Sequence, residues 1–418
     1  MCMTTERPVG KPRIAEPVRN QGTFRFELPE DALPPTHPAR LLWDVTGTLD
    51  LSRFLVGIKA VEGTVGRKVL SPRMKLTLWL YAVSQGIGSA REIARLIHTD
   101  SAFRWIVGSL EVKHDTLSGF RRSQGAALDG LMTDILASLL HKGLLSLDLV
   151  AQDGMRVRAC ATAPSFRSYG SLLACREQAA LHLKAVLAEA DDPEVSGRCR
   201  VAREAAARDF QRRVEEAITT VKELRQQNPD RIARASTTDA EARVMKMADG
   251  GFRPAYNVRM ATAGSPLGGP RTIVGVQVTN VGSDMGAITP MLDDIERRTG
   301  LRPKVLLADA NHAKHDCIRA AAERGVQAIV AVPERSQRGG PQASADPAVV
   351  AWRERMETDE AKRLYRARAS LCELSNAHLR THHGLGQFLV RGLAAATHVV
   401  LLGAIAANLL QHAAALLG

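Results

Sequence analysis

At 418 residues, the chain is long enough for two to four domains of roughly 100 to 200 residues each, so a small disulfide- or metal-stapled scaffold is excluded. Lys and Arg total 56 against 44 Asp and Glu, a formal net charge of +12 that favours a polyanionic partner such as nucleic acid over an acidic small substrate. Six cysteines, none spaced as Cys-x-x-Cys, point to a reducing compartment without structural zinc, and an aromatic content of 4% disfavours a single-strand stacking platform.

Residues 1–40 read as a flexible arm, broken most clearly at PEDALPPTHPAR. The arm contains no apolar run of the secretory kind, so a cytoplasmic location is expected. From Leu70 to Gly143 the pattern is helical, in SPRMKLTLWLYAVSQ, SAREIARLIHTD, SAFRWIVGSL, HDTLSGFRRSQ and AALDGLMTDILASLLHKGLL, separated by Gly, Asp and Ser caps. Residues 51–100 carry 8 basic and 3 acidic side chains, which suits a helical DNA-binding domain over 41–145. Arg91, Arg95, Arg121 and Arg122 are its candidate DNA contacts, although a solvated helix face has the same pattern. Phe103 and Trp105, beside Ile106 and Val107, read as core.

At Ser146 the period changes. LSLDLVAQDGMRVRA alternates and then runs apolar, predicting a buried strand that ends on Asp153-Gly154, with Asp148 on the opposite face as a surface charge. Residues 171–235 interrupt this α/β region with helical composition and nearly balanced charge, 12 basic against 11 acidic. Ala207, Phe210, Val214, Ala217, Val221 and Leu224 form a narrow heptad seam, and the turn DDPEVSG separates that helix from one around Leu172 to Leu187. An antiparallel helical hairpin, packed on itself or on a partner chain, is the simplest reading. FRPAYNVRMATA (252–263), the loop AGSPLGGP and RTIVGVQVTN (271–280) predict a β-hairpin. There follow a helix from Met285 to Arg298, the strand KVLLADA (304–310), a helix near 312–324, the strand QAIVAVP (327–333), the polar loop ERSQRGGPQASAD and a long charged helix from Pro347 to about Arg380. The segment 383–418 is an apolar helix expected to pack on the core. Leu393 to Leu410 has the length of a membrane span, but His398, Asn408, Gln411 and His412 make it a poor one. The fold class is therefore α/β (α+β overall), with a mixed sheet over 146–170 and 236–382 covered by helices.

Asp153 and Asp309 each stand where a strand runs out, and carboxylates at the ends of neighbouring strands can converge at one edge of a sheet. Glu373, in LYRARASLCELSNAHLR, is the candidate third acid. Three such oxygen donors suit Mg²⁺ or Mn²⁺, and two ions about 4 Å apart can activate a water or a 3′-hydroxyl against a phosphodiester. From spacing alone each acid also reads as a turn former or helix cap. Asp239 and Asp284 read either as residues supporting the acids or as helix caps, with caps preferred, and Glu354, Glu357 and Glu360 as a solvated face.

Several separated motifs occur in one order: AQDGMRVRACATAPSFR, TTDAEARVMKMADGGFRPAYNVRMAT, VTNVGSDMGAITPMLDDIERRTG, LLADANHA, and Tyr365-x2-Arg368-x4-Glu373-x6-Arg380. Together they resemble the DDE transposases of bacterial insertion sequences, in the group with a Tyr-Arg-Glu-Lys signature. GIGSAREIARLIHTDSAFRWIVG and HDTLSGFRR resemble the helical DNA-binding region that precedes that catalytic domain, so the likeness covers roughly 40–415. The resemblance implies an RNase H-like fold, an acid triad of Asp153, Asp309 and Glu373 holding the metal ions, and DNA contacts from Tyr365, Arg368 and Arg380. Arg156, beside the first acid, joins these contacts. It also implies binding of terminal inverted repeats and target DNA, strand cleavage and transfer, and a homodimer or larger synaptic complex with no membrane partner. Arg380 stands where the signature often has Lys, and Ala310-Asn311-His312 follow Asp309 where many relatives have Gly. His312 reads as a further ligand, a phosphate contact or a polar cap. The rival readings are a non-catalytic DNA-binding regulator derived from a transposase and a metal-dependent nuclease. The intact acids weigh against the first and the long helical N-terminal region against the second.

Overall fold

The computed structural model describes residues 28–61, 63, 68–188, 197–230, 232–333 and 346–418. Residues 1–27 of the expected arm, 191–196 of the turn DDPEVSG and 334–345 of the polar loop lie outside the described residues. The N-terminal third is helical: Pro38–Thr48 (α1), Pro72–Ser84 (α2), Ala90–Thr99 (α3), Ser101–Val107 (α4), His114–Ser123 (α5) and Gly125–His141 (α6). Local chemistry sets their starts. Ser89 Oγ accepts the Glu92 N–H at 3.4 Å to open α3, and Asp100 Oδ1 accepts the Ala102 and Phe103 N–H groups at 2.8 and 3.2 Å to open α4. Phe103 is buried as expected, and Trp105 packs edge-on to Trp43.

The strands are Leu149–Arg158 (β1), Phe166–Ser168 (β2), Arg234–Ser236 (β3), Arg243–Lys246 (β4), Phe252–Ala263 (β5), Thr272–Thr279 (β6), Val305–Ala308 (β7) and Gln327–Val330 (β8). The main sheet runs β4-β5-β1-β7-β8, with β6 beside β5, and β2 pairs with β3 separately. β1 is antiparallel to β5 and parallel to β7, so the sheet is mixed, and with helices on its faces it has the RNase H-like α+β form. β5 and β6 coincide almost residue for residue with the expected hairpin, because clean apolar alternation flanks a Gly/Pro loop.

Between the strands lie Tyr169–Ala188 (α7), Gly197–Gln227 (α8), Ile288–Thr299 (α9) and His315–Glu323 (α10). The heptad seam of α8 is used within the chain: Val214, Ala217 and Val221 are buried together with Leu172 of α7 and Ala235 of β3. The expected single helix from Pro347 to Arg380 is broken. It comprises Pro347–Glu357 (α11), Asp359–Arg368 (α12), a π turn over Ala369–Glu373 and Leu374–His382 (α13). Thr358 makes the first break by capping α12.

Leu393–Leu417 (α14) is long and apolar enough to span a membrane by length and composition, yet most of it is buried inside the fold. It lies between α1, α2 and α6 on one side and β6 on the other, so a single hydrophobic core runs from the N-terminal helices into the sheet. Its polar residues have a specific task. Asn408 Oδ1 accepts the Ile273 N–H at 2.8 Å while its Nδ2 donates to the Ile273 carbonyl at 2.8 Å. His412 meets Thr272 Oγ1 at 2.8 Å, and Gln411 bonds both backbone groups of Arg271. Asn408 thus satisfies backbone groups of Ile273 on the free edge of β6 that would otherwise be buried without partners, and His412 and Gln411 fasten the residues where the strand begins. Asn408→Leu is therefore expected to cost about 2–4 kcal/mol in urea unfolding, the scale of two orphaned buried backbone groups. An unchanged unfolding midpoint would contradict this role.

Candidate active site

The two faces of β1 do different work. Its odd residues Leu149 and Ala151 pack with Leu307 and Ile329 of β7 and β8 and with Ala367, Leu371 and Cys372 on the α12–α13 side. Even-numbered Gln152 faces the other way and donates to the Ala287 carbonyl before α9 at 3.1 Å. Asp153 belongs to the odd set, so it lies on the α12–α13 side. The parallel register pairs Ala151 with Leu307; two residues further along each strand, it sets Asp153 beside Asp309, which follows β7.

Asp153 does not end its strand. β1 continues to Arg158, still paired with β5, and only the parallel partner β7 stops, at Ala308. Gly154 pairs with Arg259 in mid-strand rather than forming a turn, and a glycine is needed there because a Cβ would lie 2.6 Å from Asp284 Oδ1. Asp284 is buried and accepts from Asn257 Nδ2 at 2.7 Å, Arg259 Nε at 3.0 Å and Arg156 Nη2 at 3.3 Å. It is thus the anchor of a buried cationic cluster behind Gly154, not a side-chain helix cap. Asp239 is likewise no local cap. It accepts the Tyr256 hydroxyl at 2.7 Å and the Gly392 N–H at 3.3 Å, tying β5 to the start of α14.

The carboxylates differ in their surroundings. Burial raises the Asp153 pKa above the usual carboxylate value and the Asp309 charge adds to the rise, against the opposing effects of Arg368 and the Gly154 N–H. At Asp309 burial also acts upward, but the His312 bond and the contributions of Asn311 and Arg368 outweigh it and hold the pKa below the usual value. Asp309 Oδ1 lies 2.6 Å from His312 Nδ1 and accepts the Asn311 N–H at 3.1 Å. His312 is fully buried, inside a short 3-10 turn ahead of α10.

Glu373 closes the π turn, is exposed, and accepts a hydrogen bond from Arg368, whose guanidinium is 5.8 Å from the Tyr365 ring centre. Asn376, one turn on, donates to Asp153 Oδ2 at 3.3 Å, and its own Oδ1 is buried without a partner. Among the described residues no three His, Cys, Asp or Glu side chains are grouped as a metal-ligand set. Asp153 and Asp309 interact, whereas Glu373 is engaged by Arg368. A cleft of about 1450 Å³ opens beside them, lined by Gly154, Asn311 and five cations, Arg156, Arg234, Arg243, Lys246 and Arg380, against the single carboxylate Glu223.

Two family models match the chain: a transposase domain (DUF772) over residues 28–123 and a transposase DDE domain over 239–409. The chain belongs to the DDE transposases of insertion sequences. The DDE-domain match takes in Asp309 and Glu373 and begins beyond Asp153. No curated protein and no solved structure matches this transposase.

The expected DNA-contact residues are spread over several surfaces. Arg380 is exposed at the cleft, and Arg156 lines the same cleft while bonding Asp284 and the Gly282 carbonyl. Arg91 and Arg122 are exposed on the N-terminal helices. Arg121 is buried: it donates to the Gly88 carbonyl at 2.7 Å and stacks 4.4 Å from the Trp79 ring centre, and burial lowers its pKa to about 10. Sequence reasoning missed Asn376 and the partners of Asp284, which are distant along the chain. Only the Asp-x-x-His spacing of Asp309 and His312 carries a local signal.

A carboxylate whose folded-state pKa is raised costs stability at neutral pH, and that cost disappears as pH falls through the folded value. Asp153→Asn is therefore expected to raise the thermal midpoint at pH 7 by about 2 °C, with the difference vanishing in acid. A lowered midpoint at pH 7 would contradict this electrostatic account.

Proposed function

We propose that this transposase binds the terminal inverted repeats of its insertion sequence and cleaves and joins DNA strands with Asp153, Asp309 and Glu373 around divalent ions. The observation that carries the reading is the in-register placement of Asp153 and Asp309 beside a cleft whose charged lining residues are five cations against one carboxylate. Such a cleft attracts a polyanion, and guanidinium groups match phosphate geometry.

The donor set fits a hard divalent ion. Two carboxylates from adjacent strands interact unfavourably, and Asn376 next to Asp153 keeps a buried oxygen without a partner. Asp153, Asp309 and Glu373 would hold Mg²⁺, with Mn²⁺ able to substitute, as two ions. When bound, such ions polarise the phosphodiester and favour an activated water or 3′-hydroxyl. The chain's own groups prepare this. His312 and Asn311 keep Asp309 ionised and fixed, and Asn376 orients Asp153. Arg368 holds Glu373 until a DNA phosphate competes for the guanidinium.

In this reading residues 41–145 recognise DNA, 146–170 and 236–382 form the catalytic domain, 171–235 are a helical hairpin insertion, and 383–418 pack on the core. Tyr365, Arg368, Arg380, Arg156, Arg91 and Arg122 contact DNA, while the burial of Arg121 assigns that side chain to packing. The protein acts in the cytoplasm as a homodimer or larger synaptic complex.

The test is incubation with duplexes carrying the DNA that flanks the gene, with Mg²⁺ or Mn²⁺ and without metal. Metal-dependent cleavage at a defined end is expected, reduced on the order of 10³-fold in Asp153→Ala and in Glu373→Gln, the scale of losing a principal electrostatic contributor. Full cleavage by Asp153→Ala would overturn the assignment.

A further inference from the structure

A second cavity, of about 280 Å³, lies away from the acids where three parts of the chain meet. The first two are the end of β1 and the end of α13 with the segment after it; the third is the N-terminal helical region, with α2, its turn to α3 and the end of α5, and α14 also contributes to the wall. Arg121, Arg158 and Arg380 line it together with His383, and no Asp or Glu is among the lining residues. Converging like charges with no counter-charge are unfavourable in a partly desolvated site. Among the described residues the Arg158 and Arg380 guanidinium groups have no hydrogen-bond or ion-pair partner, and that of Arg121 meets one protein acceptor, the Gly88 carbonyl. His383 is 4% exposed, and its Nδ1 is buried without a partner. Burial, assisted by the neighbouring His378 and His382, lowers the His383 pKa to about 4, so the ring is neutral, and its Nδ1 has no protein partner.

The walls are held in place. The Arg158 carbonyl accepts the Phe388 N–H at 2.8 Å, and Arg158 bridges Gln387, so the base of this side chain is fixed. Gly86 and Gly384 both have positive φ, +75° and +71°, and a Cβ on Gly384 would lie 2.8 Å from the Gly86 carbonyl oxygen. The two turns therefore touch at backbone level, joining the N-terminal helices to the end of α13.

We propose that this cavity is a phosphate site in which Arg158, Arg380 and His383 hold one backbone phosphate of bound DNA across that joint, with Arg121 packed in its wall. The proposal rests on the DNA-substrate reading above. Forked guanidinium donors suit the phosphate oxygens, and a neutral imidazole adds a donor without a further charge. Arg380 borders both this cavity and the larger cleft, so the site lies on a continuous path from the acids to the N-terminal helices. A phosphate seated there ties DNA occupancy to the packing of the two regions.

The test uses the full chain with isotope-labelled histidine, as wild type, Arg158→Gln and Arg158→Lys. Inorganic phosphate is titrated first, followed by a 20-base-pair duplex of arbitrary sequence, since phosphate contacts are sequence-independent. Phosphate is expected to shift the His383 ring signal saturably in wild type and not in Arg158→Gln, and duplex to displace it. The slope of log affinity against log salt for duplex binding should fall by about 0.9 in Arg158→Gln and be retained in Arg158→Lys. Arg158 is exposed, so unaltered thermal midpoints check that the variants fold. A His383 signal unmoved by phosphate, or an unchanged salt slope in Arg158→Gln while duplex still binds, would overturn this site and leave the DNA reading standing. A phosphate shift that duplex does not displace would overturn the DNA-backbone assignment. Wild type that binds no duplex at all would overturn the underlying DNA reading.

Discussion

The parallel pairing of β1 with β7 is the constraint on which the rest of the site depends. Leu149, Val150 and Ala151 run in register with Val305, Leu306 and Leu307, and neighbouring strands lie about 4.8 Å apart. That register leaves no freedom over which acids meet. Asp153 and Asp309 follow the last pair by the same two residues on the same face. A slip of one residue would put Asp309 among the groups facing α9, because side chains alternate between the faces of a strand. The slip is opposed by the small core of Leu149, Ala151, Leu307 and Ile329 on the acid side and by Val150 and Leu306 on the other.

The opposite face of β1 supplies rigidity. Gly154 lets Asp284 approach closely enough to gather Asn257, Arg259 and Arg156, so β1 and β5 are clamped one residue beyond Asp153. α14 performs the matching service at the far edge, where Asn408 replaces the missing neighbour of β6. At the joint with α6, Asp129 holds Arg297 and Arg298 of α9. Asp153 thus projects from a strand clamped on its other face by Asp284, while Glu373 comes from a π turn, a helical form that often marks functional positions. In the proposed reading, two fixed carboxylates and one held by Arg368 form an arrangement that DNA arrival completes.

Legibility in the sequence followed the range of the interactions. The hairpin of β5 and β6 was readable because its signals are local: alternation on both strands and a loop of Gly and Pro. Asp153 and Asp309 could be singled out as strand-associated acids, but Asp153-Gly154 carries the ordinary signal of a turn, and only Asp284, 130 residues away, explains a glycine in mid-strand. The charged pattern after Pro347 is continuous, so it hides both the break at Thr358 and the π turn. Arg121 and Arg122 are adjacent and look alike in sequence, yet Trp79 and the Gly88 carbonyl draw one of them inside. The polar residues of α14 argued against a membrane span, but their role at the edge of β6 depends on contacts more than 130 residues apart.

The account stands on Asp153 and Asp309 sharing a divalent ion. Calorimetric titration of Mn²⁺ into the DNA-free protein measures this without relying on turnover. Saturable binding to wild type, lost in Asp309→Asn and in Asp153→Ala, is the predicted result. Equal Mn²⁺ affinity in wild type and in the double variant Asp153→Ala/Asp309→Ala would contradict it.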